Sequence, residues 1–90
     1  MFIPVQLNLG KVPKLANGRQ VLADGSYIYI KDGFKDRLKG PAQVNPRTGY
    51  QAWFRRGLLH RDNGPAIIDP KNGRVEYWLN GKLVRKEKLT

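Results

Sequence analysis

The segment Arg74-Val75-Glu76-Tyr77-Trp78-Leu79-Asn80-Gly81-Lys82-Leu83-Val84 (residues 74–84) decides the fold. Its first half is rich in β-formers, and Lys82-Leu83-Val84 runs back after Asn80-Gly81. That Asn-Gly pair tolerates the two successive positive φ angles a type I′ turn requires, so the segment reads as a β-hairpin. The same parts recur upstream as Gln51-Ala52-Trp53-Phe54, Arg55-Arg56-Gly57 and Leu58-Leu59. Before them stand Tyr27-Ile28-Tyr29-Ile30, Asp32-Gly33 and Phe34. Return segments Ala42-Gln43-Val44 and Ala66-Ile67-Ile68 lead into Asn45-Pro46-Arg47-Thr48-Gly49 and Asp69-Pro70-Lys71-Asn72-Gly73. These are chain reversals, with proline early and glycine last.

A shift of 24 residues carries Gly40-Pro41-Ala42 onto Gly64-Pro65-Ala66. It also carries Gly25 to Gly49 to Gly73, Gly33 to Gly57 to Gly81, Tyr29 to Trp53 to Tyr77, and Arg37 to Arg61 to Arg85. Repeats of this length are stacked copies of one supersecondary unit. No stretch shows an apolar period of 3.6, and Ile3, Val5, Leu7 and Leu9 alternate as a strand would. The expected fold is all-β: a single-layer antiparallel meander of stacked β-hairpins, about 24 residues per repeat. One domain spans 1–90, with an N-terminal strand and connection in 1–24 and units at 25–48, 49–72 and 73–90. Residues 10–18 read as a looser connection.

Tyr or Trp followed four residues later by Gly, with a glycine before the next aromatic, resembles the pattern of MORN repeats. Trp53 to Ala66, W-x-x-x-G-x-x-H-R-x-x-G-P-A, looks like a divergent MORN-like repeat of phage and large-virus proteins. The resemblance covers about residues 25–86, and the first 20 do not match. It departs from the common form where Gly-Pro-Ala replaces a second return-strand glycine. The resemblance implies an elongated sheet of hairpins used for protein or membrane contacts and a phage origin, and it does not imply an enzyme.

Ninety residues suffice for one modest core. The chain has no cysteine and a single histidine, which removes disulfides and leaves too few soft ligands for zinc. No apolar run approaches the ~20 residues of a membrane helix. Residues 1–5 lack the features of a signal peptide. The expectation is a soluble cytoplasmic protein, of the host cell if phage-encoded. Seventeen Lys and Arg against seven Asp and Glu give +10. Cations occur throughout, seven before residue 46 and ten from there on, so the whole domain is basic. Such a balance points to nucleic acid, an anionic membrane or an acidic protein.

The repeat separates scaffold from specialised residues. Arg61 has counterparts in Arg37 and Arg85, so it reads as a structural arginine with packed stem and head bonded to loop carbonyls. His60 matches Asp36 and Val84, so no repeated need explains it. A general base needs a second positioned group, and only Asp62 stands near. No catalytic residue, metal or cofactor is therefore expected. Phosphate-loop patterns are absent, and the seven acids are scattered and mostly turn-forming. Tyr29, Trp53 and Tyr77 form one column, and Ile30, Phe54 and Trp78 another on the opposite face, with Trp78 expected to be exposed. The candidate binding surface is Arg47, Trp53, Arg55, Arg56, Lys71, Arg74, Trp78 and Lys82. Basic hairpin tips would straddle phosphates while rings stack on bases. The expected partner is a host nucleic acid or nucleic-acid-processing complex. The alternatives are an acidic host protein, an anionic membrane, and a homodimer through uncovered sheet edges.

Overall fold

The computed structural model describes residues 16–89. The strand expected over 3–9, the leader reading of 1–5 and most of the connection at 10–18 lie outside the described residues. Among the described residues regular structure is β throughout, apart from a 3-10 turn at Pro70–Asn72. The strands are β1 (Gly18–Val21), β2 (Tyr27–Lys31), β3 (Phe34–Lys35), β4 (Gln43–Asn45) and β5 (Tyr50–Ala52). They continue as β6 (Phe54–Arg55), β7 (Leu58–Leu59), β8 (Ile67–Asp69), β9 (Arg74–Leu79) and β10 (Lys82–Lys88). All pairings are antiparallel. The order across the main sheet is β1-β2-β4-β5-β8-β9-β10; β3 pairs β2, and β6 with β7 forms a separate ribbon.

The three hairpin tips share one backbone solution. Asp32 and Gly33 have φ of 51° and 86°, Arg56 and Gly57 52° and 81°, Asn80 and Gly81 49° and 79°. Two successive left-handed residues match the twist of the flanking strands. Neighbouring hairpins are tied through these tips. The Gly57 amide donates to the Lys35 carbonyl at 2.9 Å, and the Gly81 amide donates to that of Leu59 at 2.8 Å. A Cβ on Gly57 would stand 2.8 Å from Phe34 Cδ1, so this close approach requires glycine.

Cross-strand partners share a face. The registers therefore align Ile28, Gln43, Ala52, Ile67 and Glu76 in one row, and Tyr27, Val44, Gln51, Ile68 and Val75 on the other face. Ile28, Ile30, Ala52 and Ile67 are buried on the first face and Val44 and Val75 on the second, and Ala42 and Ala66 are buried as well. β1 was not expected: Arg19, Gln20 and Val21 show no buried alternation because this edge strand is held by backbone pairing to β2.

Two expectations need correction. Trp78 is half-buried, and its indole N–H donates to Glu76 Oε1 at 2.9 Å. Alternation along β9 places it beside Glu76, on the face that also holds Ile28 and Ile67. The acids are likewise more than turn-formers. Asp69 and Glu76 are 3% and 6% exposed. Arg74 bridges them, Nε to Asp69 Oδ2 at 2.9 Å and Nη1 to Glu76 Oε2 at 2.7 Å. Burial favours a neutral Glu76, yet the Trp78 and Arg74 hydrogen bonds outweigh it and hold the carboxyl below its ordinary range. Hydrogen bonds from Asn72, then Arg74, do the same for Asp69.

Candidate anion-binding site

The Gly-Pro-Ala segments explain themselves once the arginines are placed. Arg37 lies over the Tyr29 ring and Arg61 over Trp53, each with its guanidinium carbon 3.9 Å from the ring centroid. A cation over an aromatic face gains from the ring quadrupole. The opposite side of each guanidinium meets a glycine. A Cβ on Gly40 would fall 2.9 Å from Arg37 Cζ, and one on Gly64 3.1 Å from Arg61 Cζ. The proline carbonyls complete the clamp, accepting from Arg37 Nη1 at 3.2 Å and from Arg61 Nη1 at 3.1 Å. Ala42 and Ala66 are fully buried where the chain re-enters the sheet. Glycine makes room, proline presents its carbonyl, and alanine seats the return. The carbonyl-bonded head expected of Arg61 is present; the ring beneath it is an addition.

The third hairpin departs from this plan. Arg85 lies over Tyr77 at 4.3 Å, but its Nη2 pairs with Glu87 Oε2 at 3.1 Å, and the chain continues as β10 after a bulge at Val84.

Between the loops at 37–41 and 61–65 lies an open groove of about 270 Å³. Arg37, Lys39, Arg55 and Arg61 line it together with Trp53, His60 and Asp62. A guanidinium carries five N–H donors. One is spent on the proline carbonyl, so Arg37 and Arg61 bring further donors to this groove in fixed poses. Asp62 is the one acid in the lining. The His60 hydrogen bond lowers its pKa, so it stays ionised, and it takes Arg55 Nη2 at 3.5 Å.

His60 is part of the wall. Its Nδ1 accepts the Asn80 amide hydrogen at 2.9 Å, so the ring proton sits on Nε2, 2.9 Å from Asp62 Oδ1. Both nitrogens are engaged, and the ring is 8% exposed. Such an imidazole has no free lone pair for proton abstraction.

The eight residues read as a binding surface are distributed over several places. Trp53 and Arg55 meet in the groove. Arg56 is exposed at the neighbouring hairpin tip, in a depression with Lys31, Asp32 and Asp36. Arg47 and Lys71 occupy tips on the far edge of the sheet, where Arg47 Nη1 approaches the Asp24 carbonyl at 3.4 Å. Arg74 is committed to Asp69 and Glu76, Trp78 to Glu76, and Lys82 is exposed at the start of β10. The eight do not include Arg37, read only as a scaffold counterpart of Arg61, or Lys39, read only as part of the general basic field; both line the groove. The signal for Arg37 was its constant eight-residue separation from an aromatic (29 to 37, 53 to 61, 77 to 85).

Among the described residues there is no group of three or more His, Cys, Asp or Glu able to hold a metal. No helix among them is long and apolar enough to cross a membrane. No protein-family model matches the chain, and no match is found among curated proteins or solved structures.

Proposed function

We propose that the chain is a non-enzymatic, phage-encoded binding protein of MORN-like hairpin units, each about 24 residues long. It lays the Arg37–Arg61 groove and the adjoining basic tips along the phosphates of a host nucleic acid or nucleic-acid-processing complex. The observation that carries this reading is the clamping of both guanidiniums between ring and glycine. Donors already fixed in place lose little side-chain entropy on meeting an anion. Lys39, Arg55 and Arg56 add charge around them, and the chain's +10 supplies long-range attraction. The phage attribution rests on the resemblance of Trp53–Ala66 alone, and the non-enzymatic one on the occupied nitrogens of His60.

The clamp changes the expected mode of recognition. Trp53 already has a guanidinium on one face, so base stacking there is not the basis of binding. Contacts to phosphate carry no sequence information. The expected behaviour is sequence-tolerant binding that weakens steeply with salt, since each phosphate neutralised releases counterions. Fluorescence anisotropy with single- and double-stranded DNA and with RNA across a salt series tests this. Engagement of about four cations predicts a log–log slope near −3 to −4. An absence of binding even at low salt sinks the reading.

A further inference from the structure

We infer that the free edge of β10 is a docking strand for an extended acidic segment of a partner protein, one with carboxylates at alternate residues. Three observations meet there. β10 ends the sheet order and pairs only with β9 among the described residues, and all seven of its residues are exposed. An uncovered edge presents a row of unpaired amide and carbonyl groups.

The outward groups can be assigned. Glu76 accepts the Ala66 amide hydrogen, so its backbone groups face β8. Its β10 partner Lys86 therefore belongs to a non-hydrogen-bonded pair and turns its own N–H and C=O away from β9. Lys88 follows by alternation. Leu83 shows how such groups are used elsewhere in the chain. The carbonyls two residues beyond the tip glycines Gly33 and Gly57, those of Lys35 and Leu59, accept the amides of Gly57 and Gly81. Leu83 holds the same place after Gly81, and no backbone donor outside the β9–β10 ladder reaches its carbonyl among the described residues.

Charge selects the occupant. β10 carries Lys82, Arg85, Lys86 and Lys88 against Glu87 alone. Arg85 is paired with Glu87, whereas Lys86, opposite the buried Glu76, and Lys88 form no salt bridge among the described residues. They point to one face, so an added strand places two of its own alternate residues beside them. Like charges opposed across strands are destabilising, which disfavours a second β10 and favours Asp or Glu. Leu83 and Val84, 45% and 60% exposed, offer apolar contact nearer the tip. Strand addition of this kind draws affinity from main-chain hydrogen bonds and specificity from alternate side chains.

The test is an NMR titration of the full chain with acetyl-Val-Glu-Val-Glu-Val-Glu-amide, its lysine counterpart and a DNA duplex. The glutamate peptide is expected to shift the Leu83, Lys86 and Lys88 amides and to slow exchange of the outward ones. The double variant Lys86→Glu, Lys88→Glu should weaken that peptide about tenfold or more and admit the lysine one. Lys86→Pro removes an outward donor while sparing the β9 ladder, and should abolish peptide binding with the other hairpin shifts retained. The inference is overturned if β10 amides do not move or if both peptides bind alike. It is equally overturned if the duplex alone shifts those amides, or if sedimentation reveals a dimer that Lys86→Pro dissolves.

Discussion

His60 fastens the tip of the last hairpin: its Nδ1 accepts the Asn80 amide hydrogen at 2.9 Å, across twenty positions of chain. The same ring donates from Nε2 to Asp62, so one side chain joins β7, the loop after it and the β9–β10 turn. Replacing His60 with Ala deletes both bonds and leaves a void, and should cost about 2 kcal/mol. Urea unfolding is expected to show a lower midpoint with an unchanged slope, while anion affinity of the folded protein is retained. Imidazole nitrogen shifts should report a proton on Nε2. A loss of binding with full stability would instead make His60 part of the binding machinery.

The Arg74 fork is the most demanding electrostatic element in the sheet. It satisfies two buried carboxylates through separate nitrogens, Nε on Asp69 and Nη1 on Glu76. Arg74→Met strands both acids. Removing one partner of a buried pair costs about 3–5 kcal/mol. The lower end applies, because the Arg74 side chain is 42% exposed and water screens it. Arg74→Lys should recover only part of the loss, since an ammonium lacks the planar fork. Denaturant midpoints of the two variants check the ordering. Equal stability of wild type and Arg74→Met would show that the acids are not held as the geometry implies.

Acid should undo the same element. Asp69 and Glu76 both sit below their ordinary pKa values in the folded chain, so their ionised forms favour folding. That contribution is complete above the unfolded values near 4 and is lost as pH falls through the depressed folded ones. The urea midpoint should hold level from pH ~7 to ~5 and then drop. Asp69→Asn should lower the plateau and flatten the acid limb. A midpoint that rises on acidification contradicts the assigned direction.

The turns were legible in the sequence because turn chemistry is local: Asp32-Gly33 and Asn80-Gly81 need no distant partner to adopt left-handed angles. The aromatic and arginine pairs were half legible. Their common spacing marked Arg61 as scaffold, but only the folded chain places the guanidinium between Trp53 and Gly64. Trp78 was misjudged because apolarity alone does not say how deeply a ring is covered: both faces of β9 are filled, Val75 on one and Glu76 on the other, and an acid gave no hint of being interior. A buried carboxylate depends on Arg74 and Trp78 arriving together, which composition cannot register. β1 left no trace at all, since an edge strand held by backbone pairing needs no apolar period.

Arg56 stands where the other tips carry Asp32 and Asn80, residues whose short polar side chains tolerate positive φ. At φ 52° an arginine is strained by about 1 kcal/mol relative to them, although its amide is secured by Asp36 Oδ2 at 3.0 Å. The Asp36 bond holds the backbone, but the arginine side chain is exposed and gains no burial of its own. A cation kept at a disfavoured backbone position accords with the anion contact proposed for this tip. Arg56→Asn should therefore stabilise the chain by about 0.5–1 kcal/mol and at the same time weaken duplex binding, reducing the salt slope by about 0.9. Arg56→Lys, which keeps both the strain and the charge, should change neither. Thermal unfolding and anisotropy on the three proteins separate the two effects. If Arg56→Asn binds as tightly as wild type with the same slope, this tip plays no part in anion recognition.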